Sequence, residues 1–79
     1  MSNVQKWVEK CEAEGAEIIC VESASEVTGL YMSKQKLGGN KFTEPVYHVW
    51  ICDLNVFNCR NYRTAYNLYR ERRYMGVSE

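Results

Sequence analysis

"VYHVWICD", residues 46–53, decides how the rest of the chain can fold. These eight residues are rich in β-branched and aromatic side chains and read as the strongest strand in the sequence. Side chains on a strand alternate between its two sides. Tyr47, Val49 and Ile51 point one way, and His48, Trp50 and Cys52 the other. Both sets are apolar. The strand is then central in a sheet covered on both sides, or Trp50 packs under the loop at 34–45. Otherwise the Trp50 side or an exposed edge strand is left open, where a partner or a second copy of the chain can dock.

The neighbouring segments supply the remaining elements. "AEIICVE", residues 16–22, reads as a strand that ends in the turn-prone "SAS". "VTGLYMS", residues 27–33, is a weaker strand with Gly29 as a candidate bulge. Residues 34–45 are a polar loop with Gly38, Gly39 and Asn40 at the tip, the look of a long hairpin connection. "LNVFN", residues 54–58, reads as a turn with at most a short extension. A helix is expected over 3–14: Ser2 and Gln5 form a capping-box pair, and Val4, Trp7, Val8 and Cys11 recur at helical spacing before Gly15 stops it. A second helix is expected over 61–74, with Asn58 or Asn61 as its N-cap. The expected fold is α+β in the order α-β-β-β-α: a three-stranded, largely antiparallel sheet with both helices packed on one face.

The 79 residues make one domain, 1–79, with a thin core. A 46% apolar, 25% charged composition is that of a folded protein, not a disordered tail. Such a chain has little room for a deep enzyme cleft. No stretch approaches the roughly 20 apolar residues of a membrane span. The polar N-terminus lacks an export-type apolar region, so the cytoplasm is expected, a host cytosol if the gene is carried by a phage. In that compartment Cys11, Cys20, Cys52 and Cys59 are read as reduced core residues.

Motifs for chemistry are missing, so neither an enzyme nor a cofactor is expected. There is no nucleophile elbow and no phosphate-binding loop; "LGGNK" lacks the spacing and the following helix. The single histidine, His48, shares a strand face with Cys52, but residues four apart on a strand lie about 13 Å from each other. Zinc bonds are only about 2.0–2.3 Å long, so no metal site is expected. A pairing of His48 with Cys11, Cys20 or Cys59 in the fold would be a chance one.

The interest lies in charge. Net charge is zero, but residues 1–26 set two lysines against six glutamates, a net of −4. Residues 60–73 set five arginines against Glu71, a net of +4. On a helical wheel Tyr62, Ala65, Tyr66, Leu68 and Tyr69 share the arc that should pack on the sheet. Arg63, Asn67, Arg70 and Tyr74 recur on the adjacent arc, a polar stripe about 16 Å long at 1.5 Å per residue. Arg72 and Arg73 also suit the negative end of the helix dipole. The bland reading of the stripe is a solvated face. The functional reading is a docking surface made by Arg60, Arg63, Asn67, Arg70, Arg73 and Tyr74, with Trp50 and His48 as a second patch on the sheet.

Arginine with tyrosine suits a protein hot spot, and it also suits stacking and bridging on RNA or single-stranded DNA. The balanced charge favours a larger protein or protein complex as partner, because nucleic-acid binders are usually net basic. In size and style the chain resembles small accessory proteins of phages and mobile elements, including inhibitors of host defence. The expected function is a non-enzymatic protein-binding module that blocks or adapts a larger partner. The alternatives are a small nucleic-acid-binding regulator using the C-terminal helix, and a homodimer.

Overall fold

The structure is a computed structural model and describes residues 2–73. Two helices flank an antiparallel sheet in the order α1 (Asn3–Ala13), β1 (Ala16–Ser23), β2 (Gly29–Gly38), β3 (Lys41–Phe42), β4 (Val46–Ile51), β5 (Leu54–Cys59) and α2 (Tyr62–Arg72). The strands lie side by side as β1-β2-β4-β5, and β3 pairs with the far end of β2. The α+β class and the antiparallel pairing are as expected. Two features differ from the sequence reading, and each has a physical cause.

The sheet has five strands rather than three. Residues 54–58, read as a turn, belong to the edge strand β5. The apolar/polar alternation of a strand breaks there because the register shifts between Val49 and Trp50, leaving Val56 as an extra residue. The actual turn is the two-residue link Cys52–Asp53, with φ of 49° and 66°. Positive φ at both central residues marks a type I′ hairpin turn, which is usually signalled by Asn-Gly rather than Cys-Asp. Similarly, β2 continues past residue 33 and returns through β3, so the segment 34–45 is largely a two-stranded arm. Its tip is at Gly38–Gly39 as expected, with φ of 146° and 56°.

The helices lie on opposite faces of the sheet, not on one. Leu30, Val49, Ala65 and Tyr69 form the fully buried core under α2, with Tyr47, Ile51 and Phe57 around it. On the other face Trp7 of α1 packs on Tyr31, His48 and Trp50, with ring centroids 5.9, 4.7 and 5.4 Å away. Both apolar sides of β4 are thereby covered. Val49 is fully buried and Trp50 is 6% exposed. At about 1.5–3 kcal/mol for each large apolar side chain removed from water, leaving either side bare would be costly for so small a core.

The helix limits follow local chemistry. The Ser2 hydroxyl accepts from the Gln5 N–H at 3.1 Å and caps α1. Gly15, with φ of 92°, lets the chain leave the helix and enter β1 directly. The Asn61 side chain accepts from the Thr64 N–H at 3.0 Å and caps α2. A long-range cap is added to α1. Asp53, in the β4–β5 turn, accepts from the Asn3 N–H at 2.9 Å and the Val4 N–H at 3.0 Å, one on each carboxylate oxygen. The bend before β2 is tied to the same corner: Thr28 Oγ1 accepts from the Cys52 N–H, and the Val27 carbonyl accepts from the Asp53 N–H.

A carboxylate that satisfies two orphan amides at a helix N-terminus is worth about 1–2 kcal/mol. We expect Asp53→Ala to lose about that much stability in urea denaturation, with an unchanged m value.

Candidate functional site

Two constellations stand out, one on each side of the sheet. The first is the outward face of α2. Ala65 and Tyr69 are fully buried, and Tyr66 and Leu68 pack at the margin of the core. Tyr62 is 45% exposed. It lies 5.4 Å from Tyr47 and 5.7 Å from Tyr66, ring centre to ring centre, in an aromatic row. Arg63, Asn67 and Arg70 are exposed along one line of the helix, and Arg60 and Arg72 are exposed at its two ends. The described ion pairs are Lys34–Glu17 and Arg73–Glu22; those four arginines take part in neither.

Arg73 is placed differently. It is half-buried, its guanidinium lies 3.7 Å from Glu22 of β1, and it sits over the Tyr69 ring. It therefore holds the end of α2 against the sheet. Burial, with Glu22 nearby, pushes the Tyr69 hydroxyl above its ordinary value. Tyr74 lies outside the described residues.

The acidic helix α1, with exposed Glu9, Glu12 and Glu14 at its C-cap, is on the far side of the sheet. Glu17 and Glu22 of β1 are the carboxylates of the two described ion pairs. The opposed charges seen in the sequence are thus separated across the thickness of the molecule.

The second constellation lies under α1 and was not foreseen. Trp50 and His48 are not an open patch: Trp50 is buried beneath Trp7, and His48 is half-buried. His48 instead sits in a polar chain. Its Nε2 is 2.6 Å from Ser33 Oγ on β2, and its Nδ1 is 2.7 Å from Asn58 Oδ1 on β5.

The direction of every hydrogen bond in this chain is fixed from its far end. The Val49 and Phe57 carbonyls can only accept, so Asn55 turns its amide NH₂ toward them. Asn55 Oδ1 then accepts from Asn58 Nδ2 at 2.8 Å. Asn58 presents its own oxygen to His48, so in the neutral imidazole the proton resides on Nδ1. Nε2 carries the lone pair and accepts from the Ser33 hydroxyl.

Burial lowers the His48 pKa from its ordinary value, and the hydrogen bond to Asn58 offsets part of that. A neutral imidazole is thereby favoured. Ser33 also lines a cavity of about 250 Å³, shared with the apolar Ala16 and Val46, the Cys11 thiol and the charged Glu14 and Lys34. Burial, followed by the field of Glu14, pushes the Cys11 thiol up.

Of the residues expected to bind, the structure gathers Arg63, Asn67 and Arg70 on one exposed line, with Arg60 at the start of the helix. It places His48 and Trp50 on the opposite side of the sheet from them. Cys11 and Cys59 are half-buried, but Cys20 and Cys52 are exposed rather than core residues. Ser33 had no sequence signal beyond being a polar residue in a strand-like segment, and Asn58, read as a candidate N-cap at the end of a turn, lies on β5 while Asn61 caps α2. No family model matches the chain, and no curated protein or solved structure matches it significantly. No helix among the described residues is long and apolar enough to cross a membrane.

The sign of the His48 shift sets a pH dependence. A histidine whose folded pKa is lowered binds its proton more readily in the unfolded chain. Its contribution is complete above the unfolded value, near 6.5, and is lost as pH falls from there toward the folded value. Tyr31, the titratable ring beside it under Trp7, has its pKa raised by burial and stays neutral throughout this range. We expect urea midpoints to drop between pH 7 and 5, and His48→Gln to flatten that drop.

Proposed function

We propose that this protein is a binding module that docks on a larger protein through the outward face of α2 and acts by blocking or adapting that partner. In size and style it resembles accessory proteins of phages and mobile elements, among them inhibitors of host defence. The supporting observation is the exposed line Arg63–Asn67–Arg70, flanked by Arg60 and Arg72, beside the half-exposed Tyr62. None of these arginines is committed to either described ion pair. Arg63 and Arg70 are about 10 Å apart along the helix axis. That spacing suits carboxylates on an acidic protein surface, where arginine binds in a bidentate fork. The tyrosines add rigid contact area at low entropic cost, as hot spots do.

A specific observation also supports the nucleic-acid reading. The acidic α1 would repel phosphate if it shared the arginine face, and it lies on the opposite one. An approaching strand would meet four arginines that take part in neither described ion pair, and an aromatic row, before it met those carboxylates. This second reading predicts steep salt dependence.

One pair of measurements separates them. Host extract is passed over the immobilised wild-type chain, over Arg63→Glu/Arg70→Glu, and over Glu9→Lys/Glu12→Lys on the far face. Docking through α2 predicts that a protein partner is retained by the wild type and the far-face variant and lost from the arginine variant. The cost should be about 2 kcal/mol or more per anchor, which is roughly 30-fold in affinity each. Retention by all three chains would overturn the assignment to α2. In parallel, anisotropy of labelled single-stranded and duplex oligonucleotides is followed against salt. Tight binding whose log–log salt slope falls by about one for each arginine removed would make nucleic acid the target.

A further inference from the structure

We propose that Ser33 is an activated nucleophile, with His48 as its general base and Asn58 as the residue that positions the base, acting on small activated acyl groups that enter the cavity beside it. This goes beyond the docking reading and does not depend on it, because the relay and the arginine line lie on opposite faces of the sheet.

Three features of the geometry carry the assignment. The first is order. A nucleophile hydroxyl donates to the base nitrogen at 2.6 Å, and the other ring nitrogen is held at 2.7 Å by an oriented acceptor. That is the arrangement by which serine and cysteine hydrolases activate their nucleophiles, on folds that are otherwise unrelated. The second is polarity. The Asn55–Asn58 bonds anchored on the Val49 and Phe57 carbonyls place a proton on Nδ1, so in the neutral ring the lone pair of Nε2 faces Ser33. The third is access. Ser33 borders a cavity of about 250 Å³, room for a small acyl group, with Ala16 and Val46 as apolar lining and Glu14 and Lys34 as charged lining. Desolvation keeps His48 a neutral base near neutral pH. The Cys11 thiol in the same cavity is held protonated and so competes weakly.

The step balances without any co-reactant besides the acyl donor. Ser33 Oγ bonds to the carbonyl carbon as its proton moves to His48 Nε2. The bond from that carbon to the leaving alcohol oxygen then breaks, and Nε2 returns the proton to the alcohol. The product is a Ser33 ester. Asn58 orients the imidazole but carries no charge to stabilise the imidazolium that forms, so the chemistry is slow compared with that of a relay ending in a carboxylate.

The test uses an alkyl fluorophosphonate, which reports activated serines and spares ordinary hydroxyls and thiols. Ser33 Oγ bonds to phosphorus, fluoride leaves, and His48 takes the hydroxyl proton before it passes to solvent. The adduct is located by peptide mass spectrometry. The native wild-type chain should carry one adduct, on Ser33, and the chain in urea none. The labelling rate should rise with pH and flatten once His48 is neutral. His48→Gln should slow labelling on the order of 10²-fold, and Asn58→Asp should speed it. Lys41→Ala, at an exposed position on β3 outside both sites, should leave it unchanged; the readout is a covalent adduct and not partner retention, which separates failure here from failure of the docking reading. No Ser33 adduct in the native chain, equal labelling in urea, or unchanged labelling in a His48→Gln chain that retains its circular dichroism would each overturn the proposal. Should His48→Gln fail to fold, the native-against-urea comparison of the wild type decides alone.

Discussion

Strand β4 has no side that tolerates water, and the rest of the molecule is arranged around that fact. Tyr47, Val49 and Ile51 belong to one side, and His48 and Trp50 to the other. One helix cannot cover both. The chain contains two amphipathic helices, and the lowest-cost arrangement places one on each face. α2 contributes Ala65 and Tyr69 to the first side, and α1 contributes Trp7 to the second. With so few buried residues, each such contact is a large share of the total stability.

Covering a face requires the helix to stay in place, and α1 fully buries Val4 alone among its described residues, with Trp7, Val8 and Cys11 half-buried. Its position is set by the corner where Asp53 meets the amides of Asn3 and Val4. That contact links residues 50 apart and depends on a turn with positive φ at two non-glycine positions. Such a conformation costs free energy locally. The carboxylate bonds to a helix N-terminus, and the tie from Thr28 to the same turn, offset it. The consequence for chemistry is direct. Trp7 is brought down over His48, which loses water and is left with Ser33 and Asn58 as its polar neighbours.

The same arrangement sorts the charges. Because the helices sit on opposite faces, the glutamates of α1 and the arginines of α2 are held apart by the sheet. Glu22 does reach Arg73, at the end of α2, but the arginines farther along the helix stay unpaired in the described contacts. A chain of zero net charge therefore presents a cationic face and an anionic one. Net charge alone is a poor guide to partners when the charges are segregated in this way.

What the sequence determined by itself were the features governed by neighbours along the chain. The limits of α1 follow from Ser2 and Gly15, and the start of α2 from the candidate caps Asn58 and Asn61, of which Asn61 is the one used; each acts within one turn of helix. The exposed line Arg63–Asn67–Arg70 and the buried line Ala65–Tyr69 follow from helical spacing. The tip at Gly38–Gly39 follows from glycine's freedom at positive φ. β5 was hidden because the bulge at Val56 breaks the alternation that signals a strand, and the Cys52–Asp53 turn carries none of the usual hairpin residues. The choice of faces was not legible either. An amphipathic helix records that one side is apolar, but not which side of a sheet it will meet. Only tertiary structure decided that, and with it the relay under α1. Ser33, His48 and Asn58 lie 15 and 10 residues apart on three strands. They meet only because the cross-strand register brings them together, and that register is set by the burial and hydrogen bonding of the whole sheet rather than by any local pattern.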